Sequence, residues 1–238
     1  MGWLIFIAVS VAIPEGWPML RGNQQRTGYV AGVSCFTDTC QVKWELLVEN
    51  SEMAIIFNGP VSADFNTDSK NDIVIGICAG GFPVSIVYRG YDGAVLWRAD
   101  SSGGGPKYGS PCLMDINSDM RPEVFLSSDN YYGGTPLFLC LNGANGNGVW
   151  NQDMVAFPWY SAPLAIDGTP PTIVVGGGDG VLRALNATTG NIIWTYNVSN
   201  DIQPASLGDV DVDGNPEIVV VGGKSIYVLS MAGVLEWR

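Results

Sequence analysis

The chain contains no histidine. The commonest general base at neutral pH, the usual serine-triad partner and the favoured zinc or haem ligand are therefore all missing. Basic residues are few as well: 11 lysines and arginines stand against 23 acids, and they are scattered rather than clustered, which excludes a nucleic-acid partner. No Gly-x-Ser-x-Gly elbow or phosphate-binding loop occurs, and Gly103-Gly104-Gly105 lies in a Ser/Gly/Pro stretch with no helical pattern after it. No segment sustains an apolar period of 3.6 residues, so helix should be nearly absent. With 47% apolar and only 14% charged residues, the 238-residue chain is globular. It is long enough for one large all-β domain or two small ones.

Long apolar runs are scarce. The run Met1 to Ala12 is too short to span a bilayer as a helix. Ser10-Val11-Ala12 resembles a small-residue cleavage site, so residues 1–16 read as a secretory signal, with an N-terminal strand or anchor as the alternative. Membrane contact is expected only through this segment, if it is retained. Cysteine is odd in number: Cys35 and Cys40 flank a short turn and could close a local disulfide outside the cell, while Cys78, Cys112 and Cys140 read as small core residues. The sequons Asn186-Ala-Thr188 and Asn197-Val-Ser199 are glycosylation acceptors if the chain is secreted.

What the chain does have is an acidic loop, written three times. Residues 64–72 (DFNTDSKND), 115–123 (DINSDMRPE) and 209–217 (DVDVDGNPE) each run directly into a β-type segment. Oxygen side chains at positions 1, 3, 5 and 9, with the backbone carbonyl of position 7, can converge on a hard cation, best matched to Ca²⁺. The candidate ligands are Asp64, Asn66, Asp68, Lys70 and Asp72, then Asp115, Asn117, Asp119, Arg121 and Glu123, then Asp209, Asp211, Asp213, Asn215 and Glu217. Lys70, Arg121 and Asn215 enter only through their carbonyls. Position 12, where an EF-hand carries its bidentate glutamate, is Ile75, Leu126 or Val220, so the context is a β-hairpin. These loops hold ten of the acids, and three bound Ca²⁺ would bring the net charge of −12 to about −6. The acid excess is thereby explained by metal rather than by a cationic partner. Gly214 suits the sharp turn at position 6, whereas Met120 in the second loop does not, which makes that loop the weakest.

A repeat surrounds the loops. Each unit opens on a small-Pro step at 59–60, 110–111, 162–163 or 203–204 and closes on tryptophan, with spacings from Trp44 of 53, 53, 44 and 43 residues. Four short strands per unit at this period predict an all-β propeller of four-stranded blades, over 59–100, 101–153, 154–200 and 201–238. Inner runs such as Ile218–Val221 are apolar on both faces, as strands between neighbouring blades must be. The closing aromatic can pack between blades, and glycine pairs at 80–81, 133–134, 176–177 and 222–223 suit turns that need positive φ. In the third unit, Ile166 to Pro171 keeps one acid, and a proline-stiffened turn replaces the ion.

The Ser/Ala-Pro step, the Asp-x-Asp-x-Asp-Gly loop, the acid-Ile-Val-Val-Gly strand, the Leu-Asn-Ala-Thr-Thr-Gly turn and the closing Trp resemble FG-GAP/VCBS repeats and their pyrroloquinoline-quinone-like relatives. The lead-in from Trp17 to Tyr29 is similar to the segment that often precedes them. The resemblance covers 59–238 and implies an extracellular or periplasmic scaffold or adhesion domain, as in integrin α-chain heads. Residues 17–58 form the lead-in plus an orphan outer strand at Gln41–Leu46, giving four blades plus one extra strand, an open or partial propeller. Uncapped blade faces would favour head-to-tail self-association into rings or filaments.

The function expected is therefore a secreted, calcium-binding, non-enzymatic structural protein that meets a protein or carbohydrate ligand on the cell surface or in the matrix. Tyr131-Tyr132 and Phe157-Pro-Trp159-Tyr160 are candidates for that contact, or else inter-blade packing. The alternative is a carbohydrate-binding propeller or a calcium-dependent polysaccharide lyase, with Lys107 or Arg89 as the base.

Overall fold

The computed structural model describes residues 44–45, 59–79, 82–100, 109–128, 136–155, 162–199 and 202–238. Those residues form sixteen strands in four antiparallel sheets of four, each sheet in sequence order, with no helix. The first blade holds β1 (Val61–Ala63), β2 (Asp72–Ala79), β3 (Phe82–Tyr88) and β4 (Val95–Asp100). The second holds β5 (Cys112–Met114), β6 (Glu123–Ser128), β7 (Leu137–Leu141) and β8 (Gly148–Asp153). The third is β9 (Leu164–Ile166), β10 (Thr172–Gly176), β11 (Val181–Asn186) and β12 (Ile192–Asn197). The fourth is β13 (Ser206–Gly208), β14 (Glu217–Gly222), β15 (Ser225–Leu229) and β16 (Leu235–Trp237). Four radial sheets of this kind are propeller blades, the all-β architecture that the Trp period predicts.

Why these segments become blades follows from their side chains. The second strands are runs of branched aliphatics, and successive residues point to opposite faces, so both faces must be covered. On β2, Ile73 and Ile75 point to the side where Trp44 packs, while Val74 joins the core shared with the second blade. A further core unites residues of the second, third and fourth blades. Each such side chain, fully buried, contributes about 1.5–3 kcal/mol. Outer strands β8 and β12 alternate exposed and half-buried residues instead, as strands with one wet face do.

A feature the sequence does not announce recurs in every blade. The pairing of third and fourth strands shifts register at Val87/Tyr88, Cys140/Leu141, Ala184/Leu185 and Val228/Leu229, just before the connecting turn. The bulge bends the outer strand and sets the closing tryptophan opposite a small or β-branched partner: Trp97 on Val87, Trp150 on Cys140, Trp194 on Ala184 and Trp237 on Val228. Cys112 and Cys140 are both fully buried, as expected of core cysteines.

Trp44 and Glu45 are the described part of the expected orphan strand, and Trp44 donates its indole N–H to the Gly90 carbonyl of the first blade. One expectation changes. Of the glycine pairs, 222–223 supplies one positive φ, at Gly223, but in the third blade that role falls to Gly180. Gly176 and Gly177 are required for space instead, since a Cβ would come within 2.6 Å of Ile202 and 2.3 Å of Asp179. The pairs at 80–81 and 133–134 lie outside the described residues, as do the signal segment, the lead-in to Tyr29, Cys35 and Cys40.

Candidate metal centre

Each acidic loop joins the short first strand of a blade to its long second strand. Position 1 acts as the hub of the turn. Asp64 accepts the amides of Asn66 and Asp68 at 3.2 Å and of Ser69 at 2.7 Å. Asp115 accepts those of Asn117, Ser118 and Met120, and Asp209 that of Gly214 at 3.0 Å. Position 5 caps position 7: Asp68 accepts from Lys70, Asp119 from Arg121 and Asp213 from Asn215, at 2.9, 2.8 and 2.7 Å. Position 9 reaches back to the amide of position 2, as Asp72 to Phe65, Glu123 to Ile116 and Glu217 to Val210.

Convergence is clearest in the third loop. Asp209, Asp211 and Glu217 bring carboxylate oxygens within 4.8 Å of one another, the first two exposed and the last buried. Such a donor set, all hard oxygen and half open to water, fits Ca²⁺. In the other loops position 3 is Asn66 or Asn117, so positions 1, 3 and 9 supply two carboxylates and an amide. The Asn117 amide nitrogen donates to Glu123 at 2.8 Å, which leaves its oxygen for Asp119. The residues at position 12, Ile75, Leu126 and Val220, are buried within their strands.

The backbone carries a cost that sequence reading locates only in part. Position 6 is left-handed in all three loops, at Ser69, Met120 and Gly214, and so is position 4, at Thr67, Ser118 and Val212. Only Gly214 is built for it. The β-branched Val212 at φ 64° and Met120 at φ 66° are both solvent-exposed outliers.

Burial raises the ninth acids of the first two loops. Asp72 is fully buried, which pushes its carboxyl up to about 6, against the pull of amide bonds from Gly90 and Phe65. Burial also raises Glu123, with Asp119 and Asp115 adding repulsion.

The loops touch the joints between blades. Gly90, in the β3–β4 turn, donates its N–H to Asp72 and accepts the indole N–H of Trp44 at 2.9 Å. The same joint recurs down the chain: Trp97 donates to Gly143 at 2.6 Å, Trp150 to Ala187 at 2.8 Å and Trp194 to Met231 at 3.0 Å. The indole also covers a left-handed glycine of the receiving turn, Gly146, Gly190 or Gly233, where a Cβ would sit 2.5–2.7 Å from the ring. The third blade lacks the acid, and the carbonyl of Pro171 holds Ala187 N at 2.8 Å in its place.

Elsewhere, Arg89 is held by Asp92 through two hydrogen bonds, which raise its pKa further. Its guanidinium and the Lys70 ammonium lie over the Tyr91 ring. Arg183 and Asp179 form a largely buried ion pair beneath the β10–β11 turn; burial pushes Asp179 up, but the Arg183 bonds outweigh it and hold it low. No sequence motif marks that pair. Lys107, Tyr131-Tyr132, Phe157, Trp159 and Tyr160 lie outside the described residues.

Comparison with known proteins agrees with the architecture. A PQQ-repeat family model described as outer membrane protein assembly factor BamB matches residues 82–238. Protein FAM234B of Mus musculus is 29% identical over 172 residues, which is 63% of this chain and 26% of the relative, so the chain spans about a quarter of that protein's length. BamB from Moraxella catarrhalis superimposes with TM-score 0.57 at 18% identity, covering 83% of this chain and 55% of that one. The rhamnogalacturonan lyase PL11 of Bacillus licheniformis does so with TM-score 0.58 at 14% identity, over 96% of this chain and 45% of the lyase. At such identities the likeness is one of fold.

Proposed function

The chain belongs to the BamB-type PQQ-repeat family, and from that premise we propose that it is a calcium-stapled, non-enzymatic propeller of FG-GAP/VCBS character, serving outside the cell as a scaffold or adhesion module. The observation that carries this reading is the convergence of Asp209, Asp211 and Glu217 in a loop that fixes the entrance of a blade strand. Calcium there would neutralise acids that otherwise repel one another, and bind through Asp209, Asp211, Asp213, Glu217 and the Asn215 carbonyl. The first loop would use Asp64, Asn66, Asp68, Asp72 and the Lys70 carbonyl, the second Asp115, Asn117, Asp119, Glu123 and the Arg121 carbonyl.

Exposed loops with few carboxylates suit weak sites of the extracellular class, with Kd about 10⁻⁴–10⁻³ M. That matches a secreted or cell-surface protein bathed in calcium, with a protein or carbohydrate as its ligand. The ion pair of Arg89 with Asp92 favours its protonated state and counts against a base at that residue. The test is thermal melting of the purified chain in Ca²⁺, in Mg²⁺ and in chelator, alongside a uronan-cleavage assay. Calcium-specific stabilisation without cleavage is the expected result; cleavage of rhamnogalacturonan or pectin would replace the scaffold reading with a lyase.

A further inference from the structure

We infer that Asn197 carries an N-linked glycan that shields the edge of the third blade, and that Asn186, the other sequon asparagine, carries none; the inference rests on the extracellular reading above. Sequence alone ranks the two equally, since each heads an Asn-x-Ser/Thr triplet. The fold separates them.

Asn186 is committed to its turn. Its side-chain oxygen accepts the amides of Thr188 at 2.9 Å and Thr189 at 3.1 Å, and its backbone carbonyl takes that of Gly190 at 2.8 Å. The residue is half-buried, and Ala187 beside it is fully buried, with its carbonyl on the Trp150 indole. This triplet belongs to the joint between the second and third blades, where a sugar on the carboxamide would crowd packed groups. Asn197 is the reverse case. It is the last residue of the outer strand β12 and pairs with Val181, at the end of the blade away from the Asn186 turn. Trp194 and Tyr196 point to one side of that strand, where Tyr196 meets Tyr227 of the fourth blade, while Thr195 and Asn197 alternate to the other and are exposed. The Asn197 carboxamide makes no hydrogen bond with the described residues. Beyond it the backbone is fixed: Val198 donates its N–H to the Gly180 carbonyl at 2.9 Å and is buried against Gly222, where a Cβ would come within 2.4 Å of it. A glycan on Asn197 projects into water and displaces no packed side chain.

A second observation says why a glycan belongs on this strand. β4, β8, β12 and β16 lie at the edges of their sheets, and an edge strand invites pairing with another chain unless charge or bulk blocks it. β4 carries Arg98 and Asp100, β8 carries Asp153 and β16 carries Glu236. β12 reads IIWTYN, with no charge and no proline, and Ile192 and Ile193 are both exposed. Such a β-branched and aromatic run is the kind that seeds cross-β association. The sugar supplies the block that the other three strands obtain from ionised side chains. In the transfer, Asn197 Nδ2 gives up a proton to the transferase and bonds to the anomeric carbon of a lipid-pyrophosphate-linked oligosaccharide, whose bond to the phosphate oxygen breaks to release the lipid pyrophosphate.

The full chain is to be expressed in cultured animal cells twice, behind its own first residues and behind a supplied cleavable signal sequence, each time with the variants Asn197→Gln and Thr188→Ala. Thr188→Ala abolishes the other sequon and leaves Asn186 to cap its turn. One glycan is expected, seen as a mobility shift that peptide-N-glycosidase removes, that Asn197→Gln loses and that Thr188→Ala keeps. Peptide mass spectrometry after enzymatic release should find asparagine converted to aspartate at position 197 alone. The Asn197→Gln protein should scatter more light on concentration, and Thr195→Lys in that background should restore solubility. With the supplied signal, a glycan on Asn186 or a secreted protein bare at Asn197 overturns the inference, and so does equal solubility with and without the sugar. A glycan at Asn197 that appears only with the supplied signal refutes instead the extracellular reading.

Discussion

Asp72 accepts the N–H of Gly90 at 3.1 Å across 18 residues of sequence, and so ties an acidic loop to the turn that receives a tryptophan. The same carboxylate takes the amide of Phe65 at 3.1 Å, and Phe65 packs edge-on to Trp97. One buried acid thus touches the joints on both sides of its blade. Its two amide bonds favour the charged form, burial opposes it, and burial wins.

The sign of the resulting pH dependence is fixed. Because the folded carboxyl lies at about 6, above its ordinary value of 3.8, the folded chain holds this proton more tightly than the unfolded one. The contribution is fully present below the ordinary value and is lost as pH rises through 6. In chelator, the urea stability of the wild type relative to Asp72→Asn should therefore fall between about pH 4 and 6. A flat difference would mean that Asp72 is not desolvated.

Gly146 and Gly190 should tolerate no side chain. A Cβ at either would meet the ring of Trp97 or Trp150 at 2.6 or 2.7 Å, and both residues are left-handed. Overpacking and backbone strain together give about 2–4 kcal/mol for Gly146→Ala. Urea midpoints followed by tryptophan emission would measure it, and Gly148→Ala, which meets nothing within 4 Å, is the control.

The blades were legible because their chemistry repeats: the tryptophan period and the three acid loops mark the same corners of each sheet. The Asp72–Gly90 bond was not, since it depends on how a β-hairpin folds back on its own loop. Nor was the Arg183–Asp179 pair, which joins a strand residue to an ordinary Gly-rich turn. The left-handed position 4 escaped for another reason. Thr67, Ser118 and Val212 are not glycine or asparagine, so side-chain identity there gives no sign of the backbone. Position 6 was readable only in the third loop, through Gly214.

Relief of that strain is measurable. Val212→Gly and Met120→Gly each remove a side chain from the left-handed region while taking away almost no packing, since the two residues are 87% and 74% exposed. Strain relief, less the entropy of a freer unfolded chain, should leave each variant more stable by about 0.5–1 kcal/mol. Gly214→Ala should lose about 1 kcal/mol, even though its Cβ would find open space. Chemical denaturation of the three variants in chelator separates backbone strain from any effect on the ion.

Calcium should act through the third loop more than the others. With a free concentration about 100 times Kd, one site that binds only the folded state adds about 2.7 kcal/mol. Asp209→Asn removes a carboxylate from the convergent set and weakens the amide bond that holds Gly214, so most of the calcium-dependent rise in Tm should go with it. Asp167 is the internal control, an exposed acid in the blade where Pro171 holds the receiving turn. Asp167→Asn should leave the calcium response unchanged. Because Asp119 and Asp213 each cap a backbone amide at position 7, replacing either should lower stability even in chelator, by about 1 kcal/mol. An equal loss of calcium response in Asp209→Asn and Asp167→Asn would show that the ion binds elsewhere, and the loops would then be acid-capped turns without a metal.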